Sequence, residues 1–165
     1  PLRRITAVSG LPMLSWFDVY DFDKNTGNSL NFNDVLTSAF SINQIIIDEA
    51  KKLNGNYKSI FLGGFSQGAI MSLYIGYSFP VKLGGIICCS GLLIPQTIIQ
   101  KGHEYLPVFV SHGMVDDTIF IQRNILSLMN IKHFPGIEVH YYPQLGHFID
   151  FNVLKDIFYF LRKYM

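Results

Sequence analysis

The sequence is poor in the features that mark several protein classes. It has two cysteines, and they are adjacent, Cys88 and Cys89. A disulfide framework needs several spaced cysteines. Neighbours on a strand point to opposite faces, so bridging these two would strain the backbone. Both read as buried free thiols, which favours a reducing compartment. No apolar run reaches the ~18 residues of a membrane helix; the longest, such as residues 83–89, has the length of a buried strand. Neither sign of charge is in excess: 13 Lys and Arg against 12 Asp and Glu leave a net +1. That lacks the basic footprint of a nucleic-acid binder. Cys-x-x-Cys, His-x-x-x-His and a Walker-type glycine loop are all absent, so no motif calls for a metal or nucleotide. Pro1 rather than Met opens the chain and no charged-then-apolar leader follows it. The chain therefore reads as a fragment or a processed form.

What is present describes a globular domain. The 165 residues suit a single domain spanning 1–165. With 49% hydrophobic and 15% charged residues, the composition is not that of a disordered chain. Fourteen Phe and nine Tyr make the core aromatic-heavy. Residues 1–32 read as irregular, ending in the loop-like run 21–28. A helix is expected from about Asn33, a plausible N-cap, to Leu53, with Asn54 and Gly55 ending it. Short apolar strands follow at residues 59–63, 83–89, 107–112 and 137–142, the third rich in β-branched residues. Helices are expected at 66–77, 119–131 and 149–164. Strands alternating with helices imply an α/β fold, a parallel sheet with helices on both faces. Chemistry in such sheets sits beyond the carboxyl ends of the strands.

Gly64-Phe65-Ser66-Gln67-Gly68 is a G-x-S-x-G pentapeptide placed between an apolar strand and a helix, the context a nucleophile elbow requires. Ser66 would take a strained backbone conformation, with glycine needed two residues before and after it. The Gln67 amide would point at a developing oxyanion. A serine needs a base and a group to hold that base. Asp116 and Asp117 follow the third strand. Asp117 sits before a helix as a natural N-cap, which leaves Asp116 as the acid. Of five histidines, His147 lies directly after the fourth strand, on the Ser66 side of the sheet. His112 reads as structural, His140 lies inside a strand where it packs or meets solvent, and His103 and His133 lie away from that edge.

The run Gly63-Gly64-Phe65-Ser66-Gln67-Gly68, with Ser15-Trp16-Phe17-Asp18 upstream and His112-Gly113-x-x-Asp116 and Gly146-His147 downstream, resembles the acyl-protein thioesterase and carboxylesterase family, the lysophospholipase I-like branch of the α/β-hydrolases. The resemblance runs from Pro1 to the C-terminus. It implies Ser66 as nucleophile, His147 as base, Asp116 as its orienter and the Gln67 N–H as one oxyanion donor. It also implies a cytoplasmic enzyme without a cofactor, acting on acylated proteins or lipids. Trp16, Leu92, Leu93 and Phe148 are the candidates for walls of an acyl trough. The sequence departs from the family pattern at Ala69 and at Met114-Val115-Asp116-Asp117. It also lacks the family's opening strand and its His-Gly-Leu-Gly-Asp loop.

That last departure implies an open, apolar edge on the strand ending at Gly63, prone to pairing with another chain such as a second copy. It also removes a second oxyanion donor, worth about 10²–10³ in rate. Two alternatives follow. One is a non-catalytic truncated module binding a partner or lipid. The other is a peptidase on the same scaffold, for which no peptide clamp is legible. No transmembrane segment is expected, which leaves peripheral contact as the route to a membrane.

Overall fold

A computed structural model describes residues 1–21 and 29–165. Most of the run 21–28 therefore lies outside the described residues. The chain opens on an antiparallel hairpin, β1 (Leu2–Ile5) and β2 (Leu11–Leu14). This corrects the irregular reading of residues 1–32. Ser9 and Gly10 both take positive φ at the turn, and four-residue strands are too short for a clear alternation. Helix α1 (Phe32–Lys52) follows, capped by the Asn31 side chain, which accepts from the amides of Asn33 and Asp34. The cap is thus Asn31 and not Asn33.

Strands β3 (Phe61–Phe65), β4 (Gly85–Cys89), β5 (Val108–Gly113) and β6 (Ile137–Tyr142) form one parallel sheet in that order. The β3 strand runs two residues later than its apolar run suggests, because Gly63 and Gly64 pair in register with Ile87 and Cys88. Helix α2 (Gln67–Ser78) is buried almost throughout, so it carries no polar face. It lies on the sheet face that includes Ile86 and Cys88. A Cβ on Gly76 would stand 2.4 Å from the Ile86 side chain, and glycine lets helix and sheet approach that closely. Helix α4 (Phe151–Tyr164) covers the opposite face, with Phe160 against Phe61 and Phe109. The adjacent thiols divide between these faces as strand alternation demands. Cys88 joins the main core, and Cys89 packs near Val153 of α4. Both are free and buried, and burial pushes both thiols up.

Helix α3 is Ile121–Leu128, shorter at both ends than expected, and its cap position is Phe120. Asp117 does not cap it. Asp117 accepts from the Thr118 hydroxyl, while Asp116 takes the free amides of Thr118 and Ile119. Among the described residues β3 is one of the two edge strands of the sheet. Gly84 N–H bonds the Ile60 carbonyl and Ser66 N–H bonds the Cys89 carbonyl. By alternation, the peptide groups of Phe61, Gly63 and Phe65 turn to the open side. No helix among the described residues is long and apolar enough to cross a membrane.

Candidate active site

Four strands of one direction deliver their carboxyl ends to a common edge, and Ser66 stands directly after the first. It holds φ +54° and ψ −118°, a left-handed value that costs a non-glycine residue about 1–3 kcal/mol. The turn is held by its neighbours. A Cβ on Gly64 would lie 2.2 Å from the Gly68 carbonyl carbon and 2.3 Å from its oxygen. Glycine is obligatory there. Gly68 differs from expectation: a Cβ on it would meet only the Trp16 indole nitrogen, at 3.8 Å. That position faces open space rather than the strand.

Ser66 Oγ lies 3.0 Å from His147 Nε2, and His147 Nδ1 lies 2.7 Å from Asp116 Oδ2. A carboxylate only accepts, so Nδ1 carries the proton and Nε2 is left to accept from the serine hydroxyl. Asp116 is fully buried, and its other oxygen accepts from the amides of Thr118 and Ile119 at 2.9 and 2.8 Å. The Phe65 ring lies against the His147 imidazole, centroids 4.7 Å apart. The two loops bearing Asp116 and His147 are stitched by backbone bonds, Met114 N–H to the Tyr142 carbonyl and Val115 N–H to that of Leu145. Gly113 permits this, since a Cβ there would be 2.1 Å from the Leu145 oxygen.

His112 sits beneath this set. Its Nε2 donates to the Ile119 carbonyl at 2.7 Å and lies 3.4 Å from Asp116 Oδ2. It thereby holds the 116–119 turn from below. Its Nδ1 is buried and finds no hydrogen-bond partner among the described residues. Burial is the main cause of a lowered His112 pKa, opposed by the Ile119 bond and the Asp116 charge and aided by His147. The neutral form is therefore the native one. Folding then resists protonation: the unfolded chain takes a proton as the pH falls through its ordinary pKa of 6.5, and the folded chain only at lower pH. His112 costs nothing above that pH. Below it, stability falls by up to about 1.4 kcal/mol per pH unit. Urea unfolding at a series of pH values is expected to show this slope, and His112→Gln to lose part of it. Parallel slopes for the two proteins would contradict a buried neutral His112.

The other histidines are elsewhere. His103 bonds the Tyr77 carbonyl, His140 packs on Phe109 and His133 on Phe134.

The Gln67 side chain is not singled out by its spacing, yet it ties two distant segments together. Its Oε1 accepts from the Ser15 hydroxyl at 2.9 Å and the Trp16 amide at 3.1 Å, and its Nε2 donates to the Phe17 carbonyl at 3.2 Å. Asp18 accepts from both the amide and hydroxyl of Thr6 at 2.7 Å. The Ser15–Asp18 run is thus a clamp that fixes the hairpin to the elbow. Gln67 also opens α2, where first-turn amides lack an intrahelical acceptor.

A groove of ≈ 960 Å³ runs from Ser66 along the open side of β3. The hairpin contributes Met13, Leu14 and then Trp16, α1 contributes Ile42 and Ile45, and Leu62 forms the floor. Of the expected trough residues only Trp16 lines it. Leu92 lines a separate cavity of ≈ 60 Å³ on the other side of Ser66. Leu93 packs against the main core and donates its amide to Ser127, and Phe148 is exposed; neither borders these two cavities. The hairpin and α1 walls escape sequence reasoning. The Ser9-Gly10 turn between two apolar runs is the one available signal for the hairpin.

Known proteins resemble this chain along nearly its whole length. The Phospholipase/Carboxylesterase family model matches residues 2–165. Acyl-protein thioesterase 1 of Debaryomyces hansenii is 29% identical over 98% of this chain and 72% of its own length. Carboxylesterase SOBER1 of Arabidopsis thaliana is 28% identical over 99% and 73%. The crystal structure of Arabidopsis SOBER1 superposes with a TM-score of 0.88 at 27% identity, over 99% of this chain and 80% of that one. Zea mays acyl-protein thioesterase 2 shares the fold, with a TM-score of 0.81 at 21% identity over 99% and 79%. With its α/β architecture and a match over nearly its whole length, this chain belongs to the Phospholipase/Carboxylesterase family of hydrolases.

Proposed function

We propose that the chain is a serine hydrolase that cleaves acyl thioesters or esters through an acyl-enzyme on Ser66. The observation that carries this is the Ser66–His147–Asp116 chain of hydrogen bonds, 3.0 and 2.7 Å, opening onto the apolar groove.

The chemistry follows from those contacts. Ser66 Oγ attacks the substrate carbonyl carbon as its proton passes to His147 Nε2. Asp116 keeps Nδ1–H in place and stabilises the imidazolium without taking its proton. The Gln67 amide, at the positive end of α2, receives the oxyanion. The C–S or C–O bond then breaks and His147 protonates the departing thiolate or alkoxide. Water, deprotonated by His147, attacks the acyl-serine, and the fatty acid leaves with Ser66 restored.

Substrate class follows from the groove and from relatives named acyl-protein thioesterase. An apolar channel rewards each added methylene by about 0.8 kcal/mol, which is up to about fourfold in kcat/KM. A series of acyl p-nitrophenyl esters and acyl thioesters is therefore expected to show rates rising with chain length until the groove is filled. A folded chain that turns over none of them would leave the non-catalytic alternative. A flat series would sink the acyl assignment of the groove.

A further inference from the structure

Helix α4 carries one broad apolar arc, and only part of it is packed. Val153, Ile157 and Phe160 pack toward the sheet. Phe151, Leu154 and Phe158 recur at three- and four-residue steps along the outer edge of that arc, which places them on one stripe. They are 78%, 55% and 56% exposed. Met165, one heptad beyond Phe158, extends the stripe and is exposed as well. Exposed Phe148 and Ile149 lead into it, starting one residue after His147. A helix serving only to cover a sheet has no need of two aromatic rings facing water.

Two cations flank the stripe. The Arg162 guanidinium lies 5.7 Å from the centre of the Phe158 ring, and the Lys155 ammonium 5.8 Å from that of Tyr159. The acids nearby already have partners. Asp150 caps the helix through the Val153 amide, Asp156 accepts from the Tyr142 hydroxyl, and Glu138 binds Lys163. The outward stripe therefore presents apolar side chains flanked by Lys155 and Arg162, with no carboxylate of its own helix among them.

We propose that this face of α4, together with Phe148 and Ile149, docks on an anionic lipid surface. Such a surface offers an apolar layer beneath a negatively charged one, which matches aromatic side chains with cations held beside them. The helix would lie in the plane of the interface with Phe151, Leu154 and Phe158 below the headgroups. A second copy fits poorly. The stripe of a second copy would bring the same two cations and no acid of its own to meet Lys155 and Arg162. Docking does not depend on the acyl-transfer reading. Its consequence does: His147, beside Phe148, would be held at the surface where acylated substrates reside.

Vesicle co-sedimentation tests this with the full chain. Vesicles of phosphatidylcholine alone are compared with vesicles that also contain phosphatidylserine. The parent is expected to sediment with the second set, less so as salt rises. The double variant Phe151→Ser/Phe158→Ser is expected to bind about tenfold more weakly or worse. Lys155→Glu/Arg162→Glu is expected to lose the preference for phosphatidylserine. Both variants change exposed positions and should keep the parent's circular dichroism and its rate on soluble p-nitrophenyl butyrate. If no protein hydrolyses that ester but binding follows the pattern above, the acyl-transfer reading fails while the docking surface stands. Equal sedimentation of the parent and the phenylalanine variant would overturn the proposal. So would a dimer in light scattering that the phenylalanine variant converts to monomer, since that would assign the face to a second copy.

Discussion

Replacing Ser66 with alanine is expected to lower kcat/KM by roughly 10⁴–10⁶ and to abolish the covalent adduct formed by a fluorophosphonate. Magnitudes of this size arise when the nucleophile of a cooperating set is removed, because histidine and aspartate do nothing useful without it. The substitution removes one atom, Oγ, which contacts His147 Nε2. The backbone at φ +54° is held by the turn around it and not by the hydroxyl. The thermal midpoint should therefore stay near that of the parent. Intact mass is the cleanest readout. One adduct on the parent and none on the variant assigns the nucleophile. An adduct retained by the variant would place the reactive group elsewhere and remove the basis for the proposed mechanism.

Replacing Gly64 with alanine is expected to have the largest effect on folding. The added methyl would stand 2.2 Å from the Gly68 carbonyl carbon, 2.3 Å from its oxygen and 2.7 Å from the Ala69 nitrogen. All three are backbone atoms of the first turn of α2, so no side chain can rotate aside. Overpacking of this kind costs more than about 3 kcal/mol, and relief requires the helix start to unwind. That unwinding would displace both Ser66 and the Gln67 amide, so activity and stability fall together. Gly68→Ala serves as the control. Its methyl has ordinary contact with Trp16 at 3.8 Å, and alanine favours a helix over glycine by about 1 kcal/mol. The expected order of thermal midpoints is Gly68→Ala at or above the parent and Gly64→Ala far below both. Two equally tolerated variants would mean that strand and helix do not meet as closely as this turn requires.

Several features are legible in the amino-acid order because they depend on neighbouring positions along the chain. The alternation of short apolar strands with helices sets a parallel sheet, and chain order then sends the segments after Phe65, Gly113 and Tyr142 to one edge. That is why Ser66, Asp116 and His147 can be named from their positions after successive strands. The family resemblance rests on the same short runs. A nucleophile elbow leaves a local mark, since a glycine two residues before the serine is enforced by the turn itself.

What escapes the sequence depends on contacts between distant segments. Asp116 and Asp117 are chemically alike, and a capping role for Asp117 is the natural expectation from its place before a helix. Asp116 takes the Thr118 and Ile119 amides instead, because the 116–119 turn is anchored from below by His112. Position alone gives Gln67 a backbone role, whereas its side chain binds a segment some fifty residues earlier. The groove is the clearest case. Its walls come from the hairpin, α1 and β3, and no spacing rule brings Met13, Ile45 and Leu62 together. Fold class and the three residues that meet at the sheet edge can be read from the amino-acid order, because strand order and turn chemistry are written in neighbouring positions. The tertiary structure alone decided the shape of the groove, the tie between Gln67 and Trp16, and the outward stripe of α4. Burial belongs to surfaces in space, and a periodic pattern cannot say how much of an apolar face will find a partner.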